Sequence, residues 1–282
     1  MTSTSTTTTV KVALPDAGTV EVTITDIGAG HPFLLLHGGG GPLTVSGFGE
    51  QFAADEGVHA RVITPTHPGF NGTPRPDALA DIPGLARLYA ALLDELELSD
   101  VTVVGNSIGG WIAAELATIG SPRVSSYVIV DAVGLEVPGH PVADFFSLTP
   151  AEVAGRSYYD PERYGVDLSA LPPEAQQAMA GNRATLAVYG GQTMTDAGLA
   201  ARLANVTAPT LVVWGEADRI ADPAYGRAYA QSIPGAEYEL LTETGHLPQI
   251  ETPQKLIDCV WAFADRHATN RPTSSVSIPP LA

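Results

Sequence analysis

The feature that most constrains this chain is a serine set among glycines, Gly105-Asn106-Ser107-Ile108-Gly109, between a strand-like and a helix-like segment. Residues 101–104 form a short β-branched run that is typical of a buried strand. Residues 111–117 contain no glycine or proline and strongly favour a helix. A serine on such a sharp turn is exposed beside a helix N-terminus, and flanking glycines permit the strained backbone. The pattern therefore predicts a nucleophile at Ser107.

Strand and helix patterns alternate along most of the chain. The apolar runs that predict strands are residues 10–14, 20–27, 33–36, 60–64, 101–104, 126–130, 210–214 and 238–241. Helical patterns cover residues 83–96, the segment after Ser107, the segment from Pro223, and residues 253–266. Continuous apolar strands that alternate with helices predict an α/β fold, in which helices cover both faces of a mostly parallel sheet.

The alternation stops between residues 134 and 206, where proline-punctuated helical patterns replace the strands. This segment is predicted to be a helical cap, inserted before the penultimate strand and lying over the carboxyl edge of the sheet, where ligands bind in such folds. Residues 10–133 and 207–268 are then the core domain. The polar composition of residues 1–9 predicts a disordered tail, and that of residues 269–282 a flexible one.

Composition narrows the range of partners. The 282 residues include 31 acidic and 14 basic side chains, and the formal charge of −17 argues against nucleic acids and anionic membranes. No apolar stretch approaches the length of a membrane span, and residues 1–9 do not resemble a secretory signal. The histidines outside the motifs discussed below, His31, His59, His140 and His267, lack metal-ligand spacing. We therefore expect a cytoplasmic protein with a small-molecule substrate, no metal and no cofactor; a homodimer is left open.

A serine hydroxyl needs a base to become a nucleophile, and the base needs an acid to orient it. His246 follows the predicted strand 238–241, and Asp218 follows the predicted strand 210–214, so both belong at the carboxyl edge with Ser107. The sequence predicts a catalytic triad of Ser107, His246 and Asp218. Asp131, at the end of the predicted strand 126–130, is the alternative acid.

These motifs resemble the α/β-hydrolase superfamily, over about residues 10 to 268. The resemblance is carried by Leu36-His37-Gly38-Gly39-Gly40, residues 105–110, residues 214–218 and Gly245-His246. It implies an oxyanion hole made by the N–H groups of Ile108 and Gly39, with Gly40 as the alternative to Gly39.

Three further residues are candidates for the substrate pocket. Gly40 belongs to the glycine run 38–41, and Asn106 either orients the serine turn or touches substrate. Phe70 lies in His67-Pro68-Gly69-Phe70, which resembles a pocket-shaping loop of the superfamily, and either lines the pocket or belongs to the core.

The serine at position 107 disfavours the haloalkane dehalogenases and epoxide hydrolases of the superfamily, which carry aspartate there. Gly-Asn-Ser-x-Gly-Gly and His-Gly-Gly-Gly look like the C–C bond hydrolases of aromatic ring-cleavage pathways. Gly41-Pro42-Leu43 and Ile250 depart from those enzymes, which usually carry Pro-Gly after the glycines and tryptophan near position 250. We therefore expect hydrolysis of a carboxylic ester or lactone with a small to medium, largely apolar substrate.

Three alternative functions remain open from the sequence. The first is C–C bond hydrolysis, which needs a cation for the substrate carboxylate, and Arg156, Arg163, Arg183 and Arg202 in the predicted cap are available. The second is acyl transfer or lyase chemistry on the same triad. The third is a non-catalytic binding protein.

Overall fold

The core of the protein is one eight-stranded sheet. The computed structural model describes residues 5–167 and 170–269. The strands are β1 (Ser5–Leu14), β2 (Gly18–Gly28), β3 (His31–Leu36), β4 (Ala60–Pro65), β5 (Val101–Asn106), β6 (Val124–Val130), β7 (Thr210–Gly215) and β8 (Glu237–Leu241). Their order is β1-β2-β4-β3-β5-β6-β7-β8. The pairs β1–β2 and β2–β4 are antiparallel and the others are parallel, which confirms the predicted α/β fold.

Ten α-helices occur in the described part of the chain. They are α1 (Leu43–Ala54), α2 (Ile82–Glu95), α3 (Ile108–Ile119), α4 (Pro150–Ser157), α5 (Pro161–Tyr164), α6 (Pro173–Gly190), α7 (Leu199–Leu203), α8 (Pro223–Gln231), α9 (Pro248–Glu251) and α10 (Pro253–His267). The apolar side chains of α1 and α10 pack on one face of the sheet. Those of α2, α3 and α8 pack on the other, so both faces are buried.

The first strand begins earlier than the sequence predicts. Ser5 already pairs with Ile27, and the pairing runs to Leu14 opposite Gly18. The prediction of a disordered tail over residues 1–9 is therefore wrong for residues 5–9: threonine is β-branched and favours strands, and β2 supplies a full set of partners. Residues 1–4, and residues 270–282 of the predicted C-terminal tail, lie outside the described residues.

The segment between β6 and β7 contains α4, α5, α6 and α7. Within its described residues the only β pairing is a single bridge between Gly134 and Thr195. This helical insertion lies before the penultimate strand, as the sequence predicts, and is called the cap below.

Trp214 fixes the turn that follows β7. Its ring is fully buried, and its Nε1–H donates a hydrogen bond to the carbonyl of Ala221 at 2.8 Å. Gly226 of α8 packs directly on the indole, where an added Cβ would lie 2.3 Å from a ring carbon. The indole thus joins β7, α8 and the intervening turn, which carries Asp218.

The contact between Gly226 and Trp214 predicts a stability effect. Gly226→Ala forces a methyl group into a filled site and should lower the free energy of unfolding by about 1–3 kcal/mol. Gly181→Ala is the matched control, because Gly181 is helical and an added Cβ there meets nothing within 4 Å. It should raise stability by about 0.5 kcal/mol. Urea denaturation of both variants measures the difference, and equal effects would contradict the packing argument.

Candidate active site

Ser107 lies on a strained turn between β5 and α3. Its backbone angles are φ 58° and ψ −119°, a conformation that is unfavourable for a residue with a Cβ. A Cβ on Gly105 would lie 2.1 Å from the carbonyl oxygen of Gly109. A Cβ on Gly109 would lie 2.3 Å from the carbonyl oxygen of Leu36 in β3. Only glycines fit at both positions, as the motif predicts.

His246 and Asp218 form a direct hydrogen bond. The Nδ1–H of His246 donates to Oδ2 of Asp218 at 2.8 Å, and both side chains are buried. The other oxygen of Asp218 accepts from the N–H groups of Ile220 at 2.8 Å and Ala221 at 3.2 Å. With the proton on Nδ1, the second ring nitrogen of His246 carries a free lone pair and can act as a base.

The three predicted triad residues lie at the same edge of the sheet. Ser107 directly follows β5, Asp218 follows β7, and His246 follows β8. Ser107 is partly exposed, whereas Asp218 and His246 are buried. Ser107 is thus accessible to a substrate, whereas the pair of His246 and Asp218 is shielded from bulk solvent.

The glycine run 38–41 lies against the serine turn. A Cβ on Gly38 would be 3.3 Å from the Cβ of Ser107. Ile108 is the first residue of α3, so its N–H has no acceptor within the helix. Gly39 is the next residue along the glycine run and is partly exposed. The predicted oxyanion donors, Gly39 and Ile108, thus belong to two segments that meet beside Ser107.

Asn106 holds the loop that carries His246. Its side-chain N–H group donates to the carbonyl of His246 at 2.9 Å and lies 3.4 Å from that of Val130. Its oxygen accepts from Nε2 of Gln249 at 3.1 Å. Asn106 is also only 4% exposed. The sequence leaves two roles open for Asn106, and these observations favour orientation of the serine turn over contact with substrate.

The other two pocket candidates lie in different environments. Phe70 has no exposed surface and packs against the rings of His37 and Tyr189, with centroids 5.0 and 6.4 Å away. This burial favours the core alternative for Phe70. Gly40 is exposed, and its carbonyl accepts a hydrogen bond from Nδ2 of Asn182 at 3.0 Å.

Helix α6 of the cap covers the glycine run. A Cβ on Gly39 would lie 2.6 Å from Cδ2 of Leu186, so that leucine sits directly over the predicted oxyanion donor. The hydroxyls of Thr185 and Tyr189 donate to the carbonyls of Gly69 and Pro68, both at 2.9 Å. One face of α6 therefore contacts both the glycine run and the loop that contains Pro68 and Gly69.

A buried pair of histidines supports the glycine run from below. Their rings stack at 3.7 Å. His37 donates from Nδ1 to the carbonyl of Gly38 at 2.8 Å and accepts at Nε2 from the N–H of His67 at 3.1 Å. His67 donates from Nε2 to the carbonyl of His37 at 2.9 Å, and its Nδ1 accepts from the hydroxyl of Tyr89. Each ring has one donor and one acceptor nitrogen, so both histidines are neutral.

Burial explains why neither ring is charged. Loss of hydration lowers the pKa of His37 to about 4. Loss of hydration and the neighbouring His37 hold the pKa of His67 well below its usual value. These contacts give His37 a structural role, and the hydroxyl of Tyr89 in α2 completes the hydrogen bonds of the pair.

The neutral histidines predict acid sensitivity. In the unfolded chain His37 can bind a proton with an ordinary pKa near 6.5. The contribution of neutral His37 to the free energy of unfolding is therefore complete above that pH, and it is lost as the pH falls toward 4. The loss per histidine is about 1.4 kcal/mol per pH unit. Denaturant titrations at pH 7 and pH 5 should show a shallower pH dependence in His37→Gln than in wild type. His59→Gln, at an exposed position, is the control; an unchanged slope in His37→Gln would contradict the assignment.

Glu251 is a site residue that the sequence motifs do not reveal. One carboxylate oxygen accepts from the N–H of Gly245 at 2.6 Å, next to His246. The other accepts from the N–H groups of Tyr159 and Asp160 in the cap, at 2.9 and 3.2 Å. The N–H of His246 itself donates to the carbonyl of Ser157 at 2.6 Å. A buried carboxylate thus joins the histidine loop to the cap.

Glu251→Gln tests this link. The amide nitrogen cannot accept a hydrogen bond, so at least one buried N–H loses its partner, and kcat should fall on the order of tenfold. Glu216→Gln is the control, because Glu216 is exposed and accepts one bond, from Glu243 at 3.3 Å. Steady-state kinetics on a small ester compares the two variants. Equal kcat values would assign Glu251 a role in stability alone.

The family model described as "Alpha/beta hydrolase family" matches residues 33–258, and the chain belongs to this family. Over 120 residues it is 36% identical to 2-hydroxy-6-oxo-2,4-heptadienoate hydrolase of Pseudomonas putida, a match that covers 42% of this chain but only 44% of that relative. It is 27% identical to 2-hydroxymuconate semialdehyde hydrolase of a Pseudomonas species, covering 88% of this chain and 91% of the relative.

Among solved structures, a thermophilic esterase from Thermogutta terrifontis superimposes with a TM-score of 0.75 and 22% identity, covering 93% of this chain and all of the esterase chain. The described residues include no helix long and apolar enough to cross a membrane. Proteins named as a dienoate hydrolase and a semialdehyde hydrolase are thus similar to this chain in sequence, and a protein named as an esterase is similar to it in fold.

Proposed function

We propose that the protein is a serine hydrolase that cleaves a carboxylic ester or lactone of a small to medium, largely apolar substrate. The observation that carries the proposal is the strained turn of Ser107 at the sheet edge that also bears the hydrogen-bonded pair His246–Asp218. Strain of this kind persists where the surrounding structure enforces it, and it is concentrated at functional sites.

In the proposed reaction, Oγ of Ser107 attacks the carbonyl carbon while Nε2 of His246 takes the hydroxyl proton. The negative charge that develops on the carbonyl oxygen is stabilised by the N–H groups of Gly39 and Ile108. Asp218 stabilises the imidazolium through the 2.8 Å bond to Nδ1. The imidazolium then protonates the leaving alkoxide, and an acyl-enzyme remains.

Water completes the cycle by the reverse sequence of roles. His246 removes a proton from the water that attacks the acyl carbon, and Ser107 leaves as the alcohol after receiving that proton. No group beyond the triad and the two N–H donors is required. The hydrolysis of an ester or lactone therefore needs no side chains other than those assembled at this edge.

An apolar side chain next to the site supports a largely apolar substrate. Leu186 of the cap covers Gly39, where an added Cβ would lie 2.6 Å from Cδ2 of the leucine. The side chain beside the proposed oxyanion donor is therefore a hydrocarbon and carries no charge.

The C–C alternative would need a cap arginine for the substrate carboxylate. Arg202 binds the carboxylates of Glu115 and Asp196, and Arg183 donates to the carbonyls of Phe145 and Phe146, both at 2.9 Å. Arg156 and Arg163 are exposed. Two of the four cap arginines thus bind protein groups and two face solvent, which favours ester hydrolysis, although two relatives are named as hydrolases of a dienoate and of a semialdehyde.

The nucleophile is tested by covalent labelling. A fluorophosphonate probe should modify wild type at Ser107 and leave Ser107→Ala unlabelled. Both Ser107→Ala and His246→Ala should lose about 10⁴-fold or more in kcat, because triad members act as a unit. Ser46→Ala, at a serine whose Oγ donates to the carbonyl of Leu43 at 3.3 Å, is the control and should label normally. Labelling of Ser107→Ala at the wild-type rate would refute the assignment.

The substrate class is tested by direct competition between chemistries. Values of kcat/KM should be higher for a short-chain p-nitrophenyl ester than for a ring-cleavage dienoate, because two cap arginines bind protein groups and the other two are exposed. Dienoate turnover about tenfold faster than ester turnover would favour the C–C alternative. If neither substrate turns over and the probe does not label Ser107, the binding-protein alternative becomes the better explanation.

A further inference from the structure

Asp131 is a buried carboxyl group that the proposed reaction does not use. It follows β6 directly, has a positive φ of 43° and has no exposed surface. Oδ1 accepts a hydrogen bond from the N–H of Gly215 at 2.7 Å. Oδ2 is fully buried, and no N–H or O–H group in the described part of the chain donates to it. Such an orphaned oxygen is costly unless it carries a proton and acts as a donor.

A second carboxyl lies next to this orphaned atom. One oxygen of Asp131, one oxygen of Asp218 and one ring nitrogen of His246 all lie within 4.8 Å of one another. Two buried carboxylates at this separation cannot both be charged while the imidazole is neutral. Asp218 accepts three hydrogen bonds, from His246, Ile220 and Ala221, and each stabilises its charged form. Asp131 accepts one, so the shared proton belongs on Asp131.

We propose that Asp131 is a neutral carboxylic acid whose Oδ2–H donates a hydrogen bond to the Asp218 carboxylate, and that it is thereby a positioning residue for the triad. The inference rests on the proposed function only in its kinetic consequence. The hydrogen bond itself is a property of the folded protein and can be measured without a substrate.

The surroundings of Asp131 favour its neutral form. Loss of hydration and the negative charge of Asp218 hold the pKa of Asp131 well above its usual range, and Glu251 raises it further. The N–H of Gly215 acts in the opposite direction but is a single neutral donor. Tyr238 also lies near this carboxyl. Burial raises the pKa of its phenol to about 12, so Tyr238 is uncharged at neutral pH.

The proposed hydrogen bond has two effects on the triad. It fixes the rotamer of Asp218 that presents Oδ2 to His246, because the carboxylate is then held by Asp131 as well as by Ile220 and Ala221. It also keeps a second negative charge away from the imidazole. An ionised Asp131 would stabilise the imidazolium in the resting enzyme and leave less of the neutral base at neutral pH.

Two substitutions separate these effects. The side chain of Asp131→Asn has the same shape: its amide oxygen accepts from Gly215, and its amide nitrogen donates to Asp218. Its kcat should stay within about threefold of wild type, and the acidic limb of kcat/KM against pH should not move. Asp131→Ala removes the donor, and kcat should fall about tenfold with little change in KM. Asp218→Asn, which removes the charge, should lose on the order of 10⁴-fold.

Infrared spectroscopy can detect the proton on the Asp131 carboxyl directly. The difference spectrum between wild type and Asp131→Asn at pH 7 should contain the carbonyl stretch of a protonated carboxylic acid, whether or not the protein hydrolyses esters. Absence of that band would overturn the proposal, as would an acidic limb that moves down by about one pH unit in Asp131→Asn, the sign of a lost negative charge. Equal kcat values in the Ala and Asn variants would also overturn it. If Asp131→Ala does not fold, the spectrum and the Asn pH profile still decide.

Failure of the proposed function would look different. Wild type would then turn over no ester and resist the fluorophosphonate probe, whereas the infrared band would remain.

Discussion

Close approach of three backbone segments underlies the whole site. The turn from β5 into α3 brings Gly109 against the carbonyl of Leu36 in β3, and Gly105 against the carbonyl of Gly109. These contacts leave no room for side chains, and they set where Ser107 and the glycine run face each other. The strained backbone of Ser107 persists because β3 and β6 contact the turn on both sides. On the side of β6, the N–H of Ser107 donates a hydrogen bond to the carbonyl of Val130 at 3.0 Å.

Around this turn, the cap and the core are joined through polar contacts to backbone atoms. The carboxylate of Glu251 accepts hydrogen bonds both from N–H groups of the cap and from an N–H group of the loop that carries His246. Asn182, Thr185 and Tyr189 of α6 bond to loop carbonyls or N–H groups on the core. The cap therefore belongs to the framework of the site as well as to its cover, since the loops it contacts include those that carry the proposed base and the proposed oxyanion donor.

Much of the fold could be predicted because its strands are short, apolar and β-branched. Each of the eight predicted strands overlaps a strand of the sheet. The sequence did not indicate α1, which begins without a side-chain cap and contains Gly47 and Gly49. Nor did it indicate that β1 starts at Ser5, since polar residues on an edge strand look like a disordered tail. Tertiary packing and pairing decide such segments, and neither is visible in local pattern.

The candidate triad could be proposed from sequence because each member follows a strand, and strand ends converge. The supporting residues could not. Glu251 acts through backbone N–H groups, two of which lie about ninety residues away in the cap, and Tyr89 bonds to His67 from an ordinary amphipathic helix. The two alternatives for Asn106 and Phe70 required burial and partners to be told apart, because either role is compatible with the same residue type.

The contacts of α6 have a consequence for how proteins of this kind diversify. Its polar side chains bond to main-chain atoms of the facing loops. The helix lies so close to these loops that a Cβ on Gly69 would be 2.8 Å from Cγ2 of Thr185, and one on Gly41 would be 2.5 Å from Nδ2 of Asn182. Its apolar residue Leu186, in contrast, contacts Gly39, the proposed oxyanion donor. The polar positions of α6 and the glycines that they face are therefore expected to vary together, whereas a change at Leu186 would alter the space beside Gly39 and leave the polar contacts in place.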